Sequence, residues 1–295
     1  MNFVSTPGAK PQRLAESTED AEPDCAAIAA SAVKCLLLEL ETWPKPGLVS
    51  HVDSGSHHDM NAETFRRSAE AIAPHLRALT EGGARGSGMS HLRAVGLDAE
   101  AAMRKATGGV NTHRGAIFGL GLLCAAAGAR AAGRIDPALS LGSAVVLLWR
   151  DGILDGPVLL RSHGTCVRRS FGAGGARLEA AQGFPSIYSV GLPALRRGEQ
   201  LAPGNPEASR VEACFALVAA LEDTNLLHRG GPAGLKFARR TAGRFIREGG
   251  VGSSGWLDRA EAVHNRFIAL HLSPGGSADL LAMSLFVRAQ ERQSH

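Results

Sequence analysis

Aromatic side chains are scarce, at 5% of 295 residues, with one tyrosine and three tryptophans. A densely packed core must then be filled by Ala, Leu and Val, and the 36 glycines let helices approach closely. None of the five cysteines (Cys25, Cys35, Cys124, Cys166, Cys214) forms a Cys-x-x-Cys pair. That argues against a structural zinc site, and the odd number against a disulfide framework; buried thiols in a reduced, cytoplasmic protein are expected. No apolar run reaches membrane-spanning length: the stretch from Ala116 to Ala129 is too short and holds Gly119, Gly121 and Gly128. The net charge of +4 is mild and no block of Lys and Arg stands out, so a small anion is a better partner than nucleic acid. Also missing are a P-loop, a G-x-S-x-G elbow and an H-E-x-x-H pair. No period-two alternation is long enough to build a sheet.

What is present, 44% hydrophobic and 20% charged, suits a soluble globular protein with ample core. Met1 to Pro23 mixes Pro, Ser, Thr and acids without an apolar segment and reads as a disordered or loosely attached leader. Residues 24–295 read as a single all-α domain, a multi-helix bundle with function on loops and helix ends at one rim. Apolar periodicity and caps predict helices over Asp24–Glu41, Asn61–Leu79, Leu92–Thr107, Ala116–Ala129, Asp136–Arg150, Pro206–His228, Ala233–Glu248, Trp256–Leu272 and Ala278–Arg292. Gly82 to Gly88 reads as a link, and 152–204 as the least helical region. The Gly115-x-x-x-Gly119 spacing reads as close helix packing.

Polar residues gather in a few clusters. The central one is Gly109-Val110-Asn111-Thr112-His113-Arg114-Gly115, set directly before the apolar run. Thr112 or Asn111 can cap that helix and leave its first N–H groups aimed at an anion. Glu39 with Pro44-Lys45-Pro46-Gly47 places an ammonium on a stiff turn, a point charge for phosphate. His57-His58-Asp59 combines imidazole and carboxylate, for acid–base work or a divalent cation. Arg177 and Glu179 follow a Gly-rich stretch, Gly172 to Gly175, whose spacing is not that of a dinucleotide fingerprint. Asp223, Thr224, Asn225, His228 and Arg229 form a polar rim read as a helix C-terminus, with Ser277 and Asp279 joining it from a helix start. Taken singly, each cluster also reads as an ordinary cap, turn or surface loop.

Together these stretches resemble the triphosphoribosyl-dephospho-CoA synthase family. The matching segments are PKPGLVSHVDSGSHHDM (44–60), GVNTHRGAIFGLGLL (109–123), GARLEAAQGFPS (175–186), DTNLLHRGG (223–231) and GGSADLLA (275–282). Ser50, Asp53 and Arg114 depart from the family's usual acid, Asn and Lys. The segments from Gly183 to Leu195 and from Thr224 to Gly231 are more similar to the malonate decarboxylase branch than to the citrate lyase branch.

The resemblance implies a transferase. The 2′-hydroxyl of 3′-dephospho-CoA attacks the anomeric carbon of ATP and adenine leaves, giving the prosthetic-group precursor of an acyl carrier subunit. This is ribosyl rather than phosphoryl transfer, which suits the missing P-loop. Lys45, Arg114 and Arg229 would face the triphosphate, with Asn111, Thr112, Arg177, Glu179, Thr224, Asn225, His228 and Ser277 as further binding candidates. Glu39, His57, Asp59, His113, Asp223 and Asp279 are the catalytic candidates, and the base is His57, His113 or a carboxylate. Mg²⁺ would be held by Asp59, Asp223 and Asp279. A homodimer is compatible with the sequence. Two rivals remain: a divalent-metal hydrolase of phosphate or ADP-ribose bonds, and a helical nucleotide-binding assembly module without catalysis.

Overall fold

The computed structural model describes residues 24–156 and 175–292. Over these the chain forms eleven α-helices, a π-helical turn and a 3₁₀ turn, with no strand. The helices are α1 (Cys25–Leu40), α2 (Ala62–Ala84), α3 (Met89–Ala106), α4 (Arg114–Ala131), α5 (Leu141–Leu154), α6 (Gly175–Ala181), α7 (Leu192–Leu201), α8 (Pro206–Ala220), α9 (Thr224–Arg247), α10 (Trp256–Ala269) and α11 (Gly275–Arg292). The leader, Cys166 and the Gly172 to Gly174 stretch lie outside the described residues. The other four cysteines are buried free thiols. No helix among the described residues is long and apolar enough to cross a membrane.

The central helix is α4. From Ala116 to Ala129 every residue but Phe118 is buried, because α1, α2, α3, α5 and α11 surround it. A helix covered on all sides needs no polar face, which is why this one is apolar all round. Small residues set the spacing. A Cβ on Gly83 of α2 would lie 1.8 Å from the Ala125 carbonyl oxygen, and one on Gly128 of α4 would lie 2.1 Å from that of Thr80. The Gly115 and Gly119 pair meets α11, where a Cβ would strike Asp279 and Met283. The spacing therefore does mark close packing.

Several boundaries differ from the sequence expectation. Helix α2 runs on past Leu79 to Ala84, so Gly82 and Gly83 belong to it; Asn61 and Thr64 form a reciprocal cap at its start, and Pro74 does not end it. Asp136-Pro137 makes a turn instead of a helix start: Asp136 accepts from Ala138 N–H at 2.8 Å, and Ser140 caps α5. The described part of 152–204 is mostly helical, through α6, the π-turn Ile187–Gly191 and α7. The helix from Pro206 stops at Ala220, and Asp223 caps a new one that kinks at Gly231 (φ 59°, ψ −165°). The rim Asp223 to Arg229 is thus at a helix N-terminus. Leu221 and Asp223 both have extended backbone, which turns the chain sharply enough to bring that new start against α11.

Candidate active site

A cavity of about 1540 Å³ opens where the ends of α1, α4, α6, α9 and α11 converge with α3 and the loop after α1. Its lining includes every sequence-predicted site residue except Lys45 and Ser277.

The floor is made of buried carboxyls. Asp223 is 3% exposed and spends both oxygens. Its Oδ1 accepts from Asn225 and Leu226 N–H at 2.9 and 3.4 Å, capping α9. Its Oδ2 accepts from Ser277 N–H and Oγ at 2.8 and 3.0 Å, tying α9 to the start of α11. Ser277 serves that joint instead of facing ligand. Burial pushes the Asp223 carboxyl up, against the pull of these four donors. With its acceptor sites taken, Asp223 does not fit the metal-ligand role.

Asp279 lies one turn into α11, beyond its first N–H groups. It faces instead the start of α4, where it accepts from the Ala116 N–H. Gly115 makes room for it: a Cβ there would lie 2.0 Å from Oδ2. Burial, then the nearby Glu39 and Asp223 charges, raise the Asp279 carboxyl well above the usual carboxylate range. Glu39 is also pushed up by burial, opposed by Lys45.

Lys45 corrects the sequence expectation. Its side chain is fully buried, and the ammonium is held by the Glu39 carboxylate and, at 2.7 Å, by the Glu39 carbonyl. The turn that was to project it outward instead folds inward, so Lys45 balances Glu39 beneath the cavity.

His113 is 4% exposed and begins α4 without a side-chain cap. Of the two expected caps, Asn111 Oδ1 accepts from the Arg114 N–H at the start of α4 at 3.2 Å, whereas Thr112 Oγ1 donates to Ser68 Oγ at 2.6 Å. Ser68 Oγ also meets His113 Nδ1 at 2.6 Å. Burial, then the charge of Lys45, lowers the His113 pKa to about 4.

The rim is looser. Arg229 donates to the Ser56 and His271 carbonyls at 3.2 and 3.1 Å and to His57 Nδ1 at 3.1 Å. His57 Nε2 lies 2.9 Å from Ser273 Oγ. Both nitrogens of His57 are thus engaged, and burial, then Arg229, holds its pKa down. Asp59 and Glu222 are exposed carboxylates of the rim, Asp59 lying 3.7 Å from His57. Arg114 pairs with Glu100 at 3.1 Å, and Arg177 donates to the Gly156 carbonyl at 2.8 Å. Glu179 accepts from Ser186 N–H and Oγ at 2.7 and 3.1 Å, bracing the turn before the π-helix. Thr224, Asn225 and His228 line the wall beside them. Among the described residues no group of three or more His, Cys, Asp or Glu is placed to hold a metal ion.

The sequence reading missed Ser68, Ser273, Glu100 and the Asp53–His264 pair. His264, buried on α10, reaches Asp53 at 3.0 Å and the Lys45 carbonyl, pinning the loop before α2. Ser68 had a signal: it stands in the buried stripe Thr64, Ser68, Ile72, Leu76 of α2, a hydroxyl at helical spacing one turn before the apolar Ile72 and Leu76.

The described residues form an all-α scaffold around a deep cavity lined by arginines and by carboxyls that burial pushes up. Residues 25–295 match the family model described as ATP:dephospho-CoA triphosphoribosyl transferase, and the chain belongs to that family. It is 39% identical over 267 residues to a probable 2-(5″-triphosphoribosyl)-3′-dephosphocoenzyme-A synthase of Pseudomonas putida, covering 88% of this chain and 93% of the relative. It is 37% identical over 276 residues to the synthase of that name from Klebsiella pneumoniae, covering 89% and 90%. A probable synthase of Vibrio cholerae is 36% identical over 272 residues, covering 87% and 85%. No solved structure matches the chain.

Proposed function

We propose that the chain joins the ribose of ATP to the 2′-hydroxyl of 3′-dephospho-CoA, releasing adenine and keeping the triphosphate on the transferred ribose. The observation that carries the chemistry is Asp279, a carboxyl held toward its protonated form at the mouth of α4. In the reaction the C1′–N9 bond of ATP breaks and its electron pair goes to adenine. A protonated carboxyl beside that nitrogen supplies the proton the leaving group needs. The resulting Asp279 carboxylate then faces the cationic sugar, as in glycoside cleavage. The acceptor oxygen bonds to C1′ and gives its proton to the Asp279 carboxylate, which returns to its protonated form.

Arg114, Arg177 and Arg229, at the cavity wall, are the cations for the phosphates. Mg²⁺ enters with ATP as part of the substrate. Such an ion needs only one or two protein carboxylates beside the phosphates, and Asp59 is exposed at the rim to serve as one. The finer reading, that the product serves a malonate decarboxylase acyl carrier subunit, is supported by the segments Gly183–Leu195 and Thr224–Gly231. A homodimer in the cytoplasm is part of the same reading.

Incubation with ATP, Mg²⁺ and 3′-dephospho-CoA should release free adenine and yield a dephospho-CoA heavier by one triphosphoribosyl group. CoA should be a poor acceptor, since its 3′-phosphate crowds the attacking hydroxyl with charge. Chromatography and mass spectrometry read both products. ADP, AMP or free ribose triphosphate without an adduct would overturn the transferase mechanism in favour of hydrolysis.

A further inference from the structure

His113 and Thr112 both line the cavity, and both lean on one residue that does not. Ser68 is completely buried on α2, with its hydroxyl 2.6 Å from each partner. A hydroxyl has one proton to give. Thr112 donates to the Ser68 oxygen. Giving the proton of Ser68 to His113 Nδ1 completes the relay, the ring accepting it with a lone pair. An imidazole that accepts at Nδ1 is neutral and carries its own proton on Nε2. Phe65 stands edge-on to the ring with centroids 4.9 Å apart, so the imidazole is held between an aromatic wall and the serine. Lys45 lies close enough for its charge to oppose a second proton on the ring.

We propose that Ser68 is a positioning residue that fixes His113 as a neutral hydrogen-bond donor, its Nε2–H turned to the cavity and given to an anionic oxygen of the triphosphate. This deepens the functional reading above and rests on it for the identity of the acceptor. The tautomer itself rests only on the side-chain geometry. The arrangement removes His113 from the candidates for general base: its cavity-facing nitrogen has no lone pair to offer. Removing the hydroxyl leaves Nδ1 without its donor and frees the ring to adopt either tautomer.

Histidine-selective ¹⁵N spectra of the whole protein test this directly. From about pH 6 to pH 8 the His113 resonances, assigned with a His113→Gln control, should show a protonated Nε2 and a bare, hydrogen-bonded Nδ1. In Ser68→Ala the Nδ1 signal should move to the position of a mixed tautomer. KM for MgATP should rise and turnover should fall by about ten- to a hundredfold, the loss seen when the partner orienting a metal-bound imidazole is removed. Ser68→Thr, which keeps the hydroxyl, should recover the spectrum and most of the rate. A proton on Nδ1 in the parent protein, an imidazolium at neutral pH, or unchanged MgATP kinetics in Ser68→Ala would overturn the proposal. If Ser68→Ala does not fold, the parent spectrum still decides the tautomer. If no adenine is released by the parent, the functional reading fails while the spectrum still tests the placement of the proton.

Discussion

Burial drives the titratable groups of this cavity toward their neutral forms, carboxyls upward and imidazoles downward. The two kinds have opposite consequences for stability. Asp279 keeps its proton in the native state at pH values where the unfolded chain has lost it. Its contribution is fully present below the ordinary carboxyl pKa and is lost as pH rises through the native one. Asp279→Asn removes that loss and can still accept from Ala116. The variant should therefore melt higher than the parent at about pH 8 and alike near pH 4, while adenine release falls on the order of 10²–10⁴. Equal melting curves at pH 8 would mean that folding does not raise the carboxyl's pKa and that the native protein carries the charge at no cost. His113 carries the reverse sign. Its native pKa of about 4 lies below the ordinary histidine value, so the unfolded chain binds more protons between the two. That contribution is full above the ordinary value and declines as pH falls to about 4. In denaturant titrations His113→Gln should flatten the acid side of the stability curve, and a parallel curve would count against a neutral, buried imidazole.

Among the described elements, α2 and α4 form the most intimate pair, and at two points, Gly83 and Gly128, a glycine lets one helix press against the partner's backbone. Gly83→Ala places a Cβ 1.8 Å from the Ala125 carbonyl, a backbone atom that cannot swing away. The helices must separate, at about 1–3 kcal/mol by the usual cost of overpacking, and more if the backbone resists. Chemical denaturation should show the loss; a variant as stable as the parent would mean the contact is slack. This contact was legible only in outline. The apolar run and its glycine spacing told that α4 is central and tightly packed, because periodicity and small residues are local signals. The partners at Gly83 and Gly128 were not, because which helix presses on which glycine is a tertiary fact. Boundaries failed where a local signal had two readings. Asp136-Pro137 satisfies a turn as well as a helix start, and the polar rim after Ala220 looked like an end because Asp223 caps forward onto Asn225. The composition of the cavity was largely readable from the polar clusters. The inward fold of Lys45 was not, since a charged side chain on a Pro-rich turn normally seeks water. Nor was Ser68, whose role appears only once α2 lies beside His113.

At the scale of the whole molecule, one hydrophobic cluster runs from Ala29 on α1 to Val287 on α11 and includes residues of every α-helix among the described residues. The cavity draws its lining from almost as many, with α1, α2, α3, α4, α6, α9 and α11 each supplying part of it. A ligand in such a cavity cannot stabilise one piece of the structure alone. Anything that binds the native state and not the unfolded one adds RT ln(1 + [L]/Kd), about 2.7 kcal/mol at a hundredfold excess over Kd. For a chain of this size each kcal/mol moves the melting temperature by roughly 2–4 °C or somewhat less. MgATP should therefore raise the melting temperature by several degrees as a shift of a single transition, and 3′-dephospho-CoA should do the same. Scanning calorimetry with each ligand checks this. Two resolved transitions, of which only one moves with ligand, would show that part of the bundle melts apart from the cavity and that the shared core does not couple them.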